Sequence, residues 1–153
     1  MQDLAPFESM IEAQGAMRDK IMLFEQALSE QPGAFVGESD EFPVVHEFAD
    51  GLYIRSLHIP KGGCITGKIH RFSHPSFLMK GEISIVSESG GVQRLKAPCM
   101  VIAPSGTKRV GYAHEDTVWT TVHATKETDL KKIEAEVIAP SFEDFERGLL
   151  CPS

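Results

Sequence analysis

Apolar residues change their spacing twice along this chain. Phe7, Met10, Met17, Ile21, Phe24 and Leu28 recur at three- and four-residue steps, and Pro6 suits a first helical turn. The pattern predicts one helix over residues 6–30, weakened at Gly15 by about 1 kcal/mol relative to alanine. Gln31, Pro32 and Gly33 end it. Met10 to Leu28 also fits nearly three heptads, with Gln14 at a polar seam position. This helix therefore either docks on its own chain or builds a homodimer or higher homo-oligomer.

From residue 44 to residue 124 the period shortens. Eight runs rich in Val, Ile, Thr, Phe and Tyr follow: VVHEF, LYIRSLHI, CITGKIHRF, SFLMKGEISIVS, VQRLKA, PCMVIA, TKRVGYAH and TVWTTVHAT. Turn residues such as Asp50-Gly51, Gly62-Gly63, Gly90-Gly91 and Glu115-Asp116 separate them. No helix long enough for a parallel crossover intervenes, so the expected class is mainly β, a single antiparallel jelly-roll barrel. Two short helices are expected behind it. One begins near Thr128, and the other is capped by Ser141, acidic in its first turn and stopped by Gly148. The predicted organisation is a helical segment over 1–33, a barrel over 34–127 and a helical extension over 128–153.

Length and composition narrow the functional classes. The 153 residues, 42% hydrophobic and 24% charged, suit one soluble domain with a core of its own. A net charge of −7 argues against a nucleic-acid partner, because counterion release needs a cationic surface. No run of 18 apolar residues predicts a membrane span, and the first residues lack the pattern of a secretory signal. Cys64, Cys99 and Cys151 include no Cys-x-x-Cys pair, so neither a disulfide framework nor a thiolate zinc site is expected. Reduced thiols in a cytoplasmic protein are the simplest expectation.

The stretch GKIHRFSHPSFLMKG places His70 and His74 four residues apart, and here the chain resembles the cupin superfamily. Cupins carry a first motif of glycine, a His-x-His pair, a glutamate and a closing glycine. Gly63 opens that motif, Lys68 stands at the first histidine, His70 matches the second, His74 takes the glutamate position and Gly81 closes it. The second motif, Pro-x-Gly-x-x-His, is present as Pro104 to Arg109, with arginine in place of histidine. The resemblance covers roughly residues 44–124. It implies a double-stranded β-helix and a divalent metal (Zn, Fe, Ni or Cu) on mixed ligands. It leaves the reaction class open among oxygenation, isomerisation and hydrolysis. Parts of TKRVGYAHEDTVWTTVHAT also resemble small phage-encoded cupins, which implies a host-cytoplasmic setting and a non-catalytic binding or interaction module as the alternative.

Strand alternation tests the departures from the motif. Lys68 and His70 share one face, and so do Arg109, Gly111 and Ala113, the small residues leaving room beside the arginine. A hairpin across Glu115-Asp116 with a three-residue loop sets Arg109 opposite His123 and turns Trp119, Thr121 and His123 inward. A two-residue loop turns His123 outward instead. On the first register one cavity holds His70, His74 and His123 as metal ligands, with Lys68, Arg109, Trp119 and Thr121 around the ligand. Two cations beside a metal ion repel unless an anion sits among them. The expected partner is therefore a small carboxylate or phosphate, which suits a bidentate arginine. Arg109 has a structural alternative, pinning the acidic turn, and His46, His58 and His114 carry no matching spacing.

Overall fold

The computed structural model describes residues 17–150. In chain order, α1 (Met17–Ser29) precedes β1 (Val44–Ala49), β2 (Leu52–Ile59), β3 (Cys64–Thr66), β4 (Ile69–His70), β5 (His74–Lys80) and β6 (Glu82–Ser87). Then come β7 (Gly91–Lys96), β8 (Cys99–Ala103), β9 (Arg109–Ala113), β10 (Thr117–Ala124), α2 (Leu130–Val137), β11 (Ile138–Ala139) and α3 (Phe142–Leu150). Phe7, Met10, Gly15 and Cys151 lie outside the described residues.

Two of the expected β runs are each cut in two. CITGKIHRF breaks between β3 and β4 at Gly67-Lys68, and SFLMKGEISIVS breaks at Gly81. Gly81 has φ +90°, and a Cβ there would sit 2.4 Å from the Asp116 carbonyl oxygen. Only glycine fits that corner.

A five-stranded sheet in the order β1-β2-β10-β5-β8 faces a four-stranded sheet in the order β3-β9-β6-β7, and β4 pairs with β11. The chain passes repeatedly from one sheet to the other, and the pairs are antiparallel. This is a double-stranded β-helix. The hairpin expected across Glu115-Asp116 does not form, because that link crosses between sheets. β9 pairs with β3 and β6, while β10 pairs with β2 and β5. Asp116 accepts the Lys61 backbone N–H at 2.9 Å and anchors the crossing.

The floor between the sheets is apolar: Ile59, Leu78, Ile83, Ile85, Ala113 and Trp119 are buried there with Phe42. The room expected beside Gly111 is filled, since a Cβ there would meet Ile83 at 3.2 Å and Ile65 at 3.5 Å. α1 docks on its own chain, laying Ile21, Phe24 and Leu28 against Cys64, Val86 and Val110 on the outer face of the four-stranded sheet. A Lys108–Glu25 ion pair at 2.7 Å closes that contact.

The C-terminal elements cover one end of the barrel. Asp129 caps α2 by accepting from the N–H groups of Lys131 and Lys132. Ile133 and Val137 of α2 pack on Tyr53, and β11 pairs Ile138 with His70. Ser141 caps α3 as expected, accepting from Asp144 N–H at 3.1 Å, but the helix runs through Gly148 to Leu150. Among the described residues no helix is long and apolar enough to cross a membrane.

Candidate functional site

The inner face of the five-stranded sheet is graded in polarity. In its apolar row, Trp119 stands opposite Leu57 and Leu78, and Leu78 opposite Cys99. Two residues along each strand, Thr121 stands opposite Arg55 and Ser76, and Arg55 opposite His46. Two further on, His123 stands opposite Tyr53, and His74 opposite Ala103. The period of two places a greasy floor, a polar middle and a histidine rim on one surface.

His70 enters from β4, and the three imidazoles meet. Their ring centroids lie 4.4 Å apart for His70 and His74, 4.6 Å for His74 and His123, and 5.3 Å for His70 and His123. One ring nitrogen from each lies within 4.8 Å of the others. Burial, then the neighbouring His74, His123, Arg109 and Arg55, pushes His70 down to about 3. Burial holds His74 at about 4 against the opposing pull of the Phe72 carbonyl, and holds His123 at about 4 with help from His74 and the two arginines. All three are therefore neutral at pH 7, and each keeps one ring-nitrogen lone pair.

The donor set fits a divalent transition metal. Neutral imidazoles are its ordinary ligands, and three of them leave a coordination position for a small molecule. An ion about 2.1 Å from each donor would need the nitrogens about 3.4 Å apart, which side-chain rotation can reach from this arrangement. His74 Nδ1 lies 3.2 Å from the Phe72 carbonyl oxygen, so Nδ1 carries the proton and Nε2 faces the cluster. Thr121 Oγ1 lies 2.9 Å from His123 Nε2 and holds that ring.

Arg109 reaches this cluster from the opposite sheet. Its guanidinium donates to Ser76 Oγ at 3.1 Å and lies 3.3 Å from His74 Nε2, the lone pair a metal would use. Its carbon also sits 5.1 Å from the Trp119 ring centroid. Burial lowers its pKa to about 10, still charged at pH 7. No carboxylate among the described residues lies within ion-pair distance of it. The alternative in which Arg109 pins Glu115-Asp116 is not what the structure shows.

Of the residues singled out from sequence, His70, His74, His123, Arg109, Trp119 and Thr121 converge. Lys68 does not. It is exposed and ion-paired with Glu134 of α2, while its neighbour Ile69 is 3% exposed, so Lys68 and His70 do not share the inner face. Gly67 N–H still bonds the Arg109 carbonyl in the β3–β9 register, and the alternation is reset after it, at Lys68, before β4 begins. His123 points inward through pairing with β2 and β5 rather than through the expected hairpin.

Three residues join the site that sequence reasoning passed over: Tyr53, Arg55 and His46. Tyr53 stacks on His123 with centroids 5.9 Å apart, and its hydroxyl lies 2.7 Å from His46 Nδ1. His46 Nε2 bonds Glu38. Burial raises the Tyr53 pKa above its ordinary value. The alternation Tyr53, Arg55, Leu57, Ile59 was the available signal, since it places an arginine on a face that is otherwise buried and apolar.

No family model and no curated protein sequence matches the chain. Solved structures do. KdgF from a Halomonas species superposes with a TM-score of 0.52 at 15% identity, over 62% of this chain and 90% of that one. Salicylate 1,2-dioxygenase from Pseudaminobacter salicylatoxidans gives 0.51 at 17% identity, over 73% of this chain and 33% of that one. An uncharacterised Klebsiella pneumoniae protein with a double-stranded β-helix domain gives 0.50 at 18% identity, over 62% and 81%. Likeness at these identities speaks to the fold. It agrees with the strand order: the fold is a double-stranded β-helix, as the resemblance of the sequence motifs to cupins implies.

Proposed function

We propose that this protein binds a divalent transition metal through His70, His74 and His123 and holds a small carboxylate or phosphate beside it on Arg109. The observation that carries the reading is the meeting of three neutral imidazoles, two buried and one half-buried, with a guanidinium that has no carboxylate partner among the described residues. An unpaired cation in a partly dry interior costs several kcal/mol, and an anionic ligand removes that cost. A bound metal would supply Lewis acidity toward an oxygen of the ligand.

The chain's own residues supply the rest. Arg109 orients the anion through its planar fork. Ser76 and Trp119 fix the guanidinium's plane and position. Thr121 and Phe72 hold two of the imidazoles. Arg109 also lines a cavity of about 230 Å³ together with Ser87, Gln93, Ala103 and Thr107, space on its own side for part of a small polar molecule.

Cobalt(II) titration of metal-stripped protein tests this. The reading expects saturation near about one ion per chain, a visible spectrum of nitrogen ligation, and a change in that spectrum on adding acetate or phosphate. The His123→Ala variant should lose the spectrum. A featureless titration, or one unchanged by His123→Ala, contradicts the reading.

A second reading has its own support. Arg109 already donates to His74 Nε2, so the metal-free cluster can serve as an anion pocket without chemistry. Anion binding that survives chelation at full strength would favour that version.

A further inference from the structure

Arg109 has a counterpart on the inner face of the sheet it reaches across to. Arg55 lies on β2 between the buried Tyr53 and the core residue Leu57, on the inner face of the five-stranded sheet. Its Cα partners are His46 on one side and Thr121 on the other, and Thr121 is in turn opposite Ser76. Ser76 is where the Arg109 guanidinium lands from the facing sheet. Two strand spacings, about 10 Å, separate the Cα atoms of Arg55 and Ser76, with Thr121 between them.

Neither guanidinium has a carboxylate within ion-pair distance among the described residues. The two acids whose charges act on Tyr53 are engaged elsewhere, Glu38 with His46 and Glu134 with Lys68.

We propose that Arg55 and Arg109 are two arms of one clamp and that the ligand of this pocket carries two negative charges. The proposal rests on the anion-site reading above and adds the charge of the ligand. A monoanion on Arg109 leaves Arg55 unpaired in the same half-buried space, and a metal ion adds further positive charge. A dianion answers both guanidinium groups, either as two carboxylates spanning them or as one phosphate drawn between them.

Calorimetric titration of metal-loaded protein with succinate, butyrate and inorganic phosphate tests this. Succinate and butyrate have the same chain length and differ in the second carboxylate. The clamp predicts that succinate binds about tenfold or more tighter than butyrate, as a second charged contact implies. Arg55→Gln should erase that preference, bringing the succinate-to-butyrate affinity ratio to within about twofold of one. Phosphate binding above succinate, lost equally in Arg55→Gln and Arg109→Gln, supports the clamp with a single-centre dianion.

Equal affinity for butyrate and the dianions, or a preference that Arg55→Gln leaves intact, overturns the proposal. Should Arg55→Gln fail to fold, Arg55→Lys decides. It keeps the charge without the fork and should retain a weakened dianion preference, whereas unchanged affinities overturn the clamp. Cobalt titration of the same samples separates the two readings. Intact metal binding with no anion binding removes the clamp and leaves the metal site standing. Dianion preference without metal binding keeps the clamp and removes the metal.

Discussion

The 3.3 Å contact between Arg109 and His74 Nε2 sets the guanidinium against the metal for one lone pair. Removing the competing donor and its charge should strengthen metal binding while weakening the anion. Arg109→Gln is expected to raise zinc affinity by about tenfold, read by competition with a chromophoric chelator. A fall in zinc affinity would mean that the arginine supports the ligand geometry instead.

Protonation gives a second test at this scale. The three imidazoles are held at about 3, 4 and 4, below the ordinary 6.5. Between those values and 6.5 the unfolded chain binds more protons than the folded one. Their contribution to stability is complete above about pH 6.5 and is lost as pH falls toward 4, at about 1.4 kcal/mol per pH unit for each histidine. Urea unfolding of chelated protein from pH 7 to pH 4 should show this slope, and His123→Ala should flatten it. A slope unaltered by that substitution contradicts the burial of a neutral ring.

Sequence made the element scale legible where one residue type settles the geometry. Gly81 closes the β5–β6 corner at φ +90°, Ser141 caps α3, and alternate buried residues mark β10. It failed where pairing is non-local. β9 and β10 are neighbours in the chain and suggest a hairpin, yet the roll sends them to opposite sheets. Lys68 was lost to a two-residue break that no periodicity announces, and Arg55 was overlooked because β2 carries no motif.

The docking of α1 was left open by its spacing, which serves a partner chain as well as its own sheet. Phe24, 2% exposed against that sheet, makes the outcome measurable. Phe24→Ala should cost about 3–5 kcal/mol in chemical denaturation. A loss below about 1 kcal/mol would show that the helix does not depend on this contact.

At the scale of the whole molecule, a chain of net charge −7 keeps three neutral histidines and two arginines that have no carboxylate partner among the described residues on the inner surface of one roll. The acidic exterior serves solubility, and on the proposed function the cationic interior would draw an anion inward. α2 and β11 close the histidine end, with Ile133 and Val137 on Tyr53 and Ile138 beside His70. Metal binding should therefore stabilise the whole fold. Zinc at about a thousand times its dissociation constant adds about 4 kcal/mol, seen as a raised melting temperature that His74→Ala abolishes.

The central claim is that His70, His74 and His123 share one ion. Anomalous diffraction from crystals grown with saturating zinc, collected on both sides of the zinc edge, tests it most directly. The account predicts one strong peak inside the roll, about 2.1 Å from a nitrogen of each of the three histidines. An empty centre at saturating zinc, or peaks confined to surface carboxylates, would contradict it.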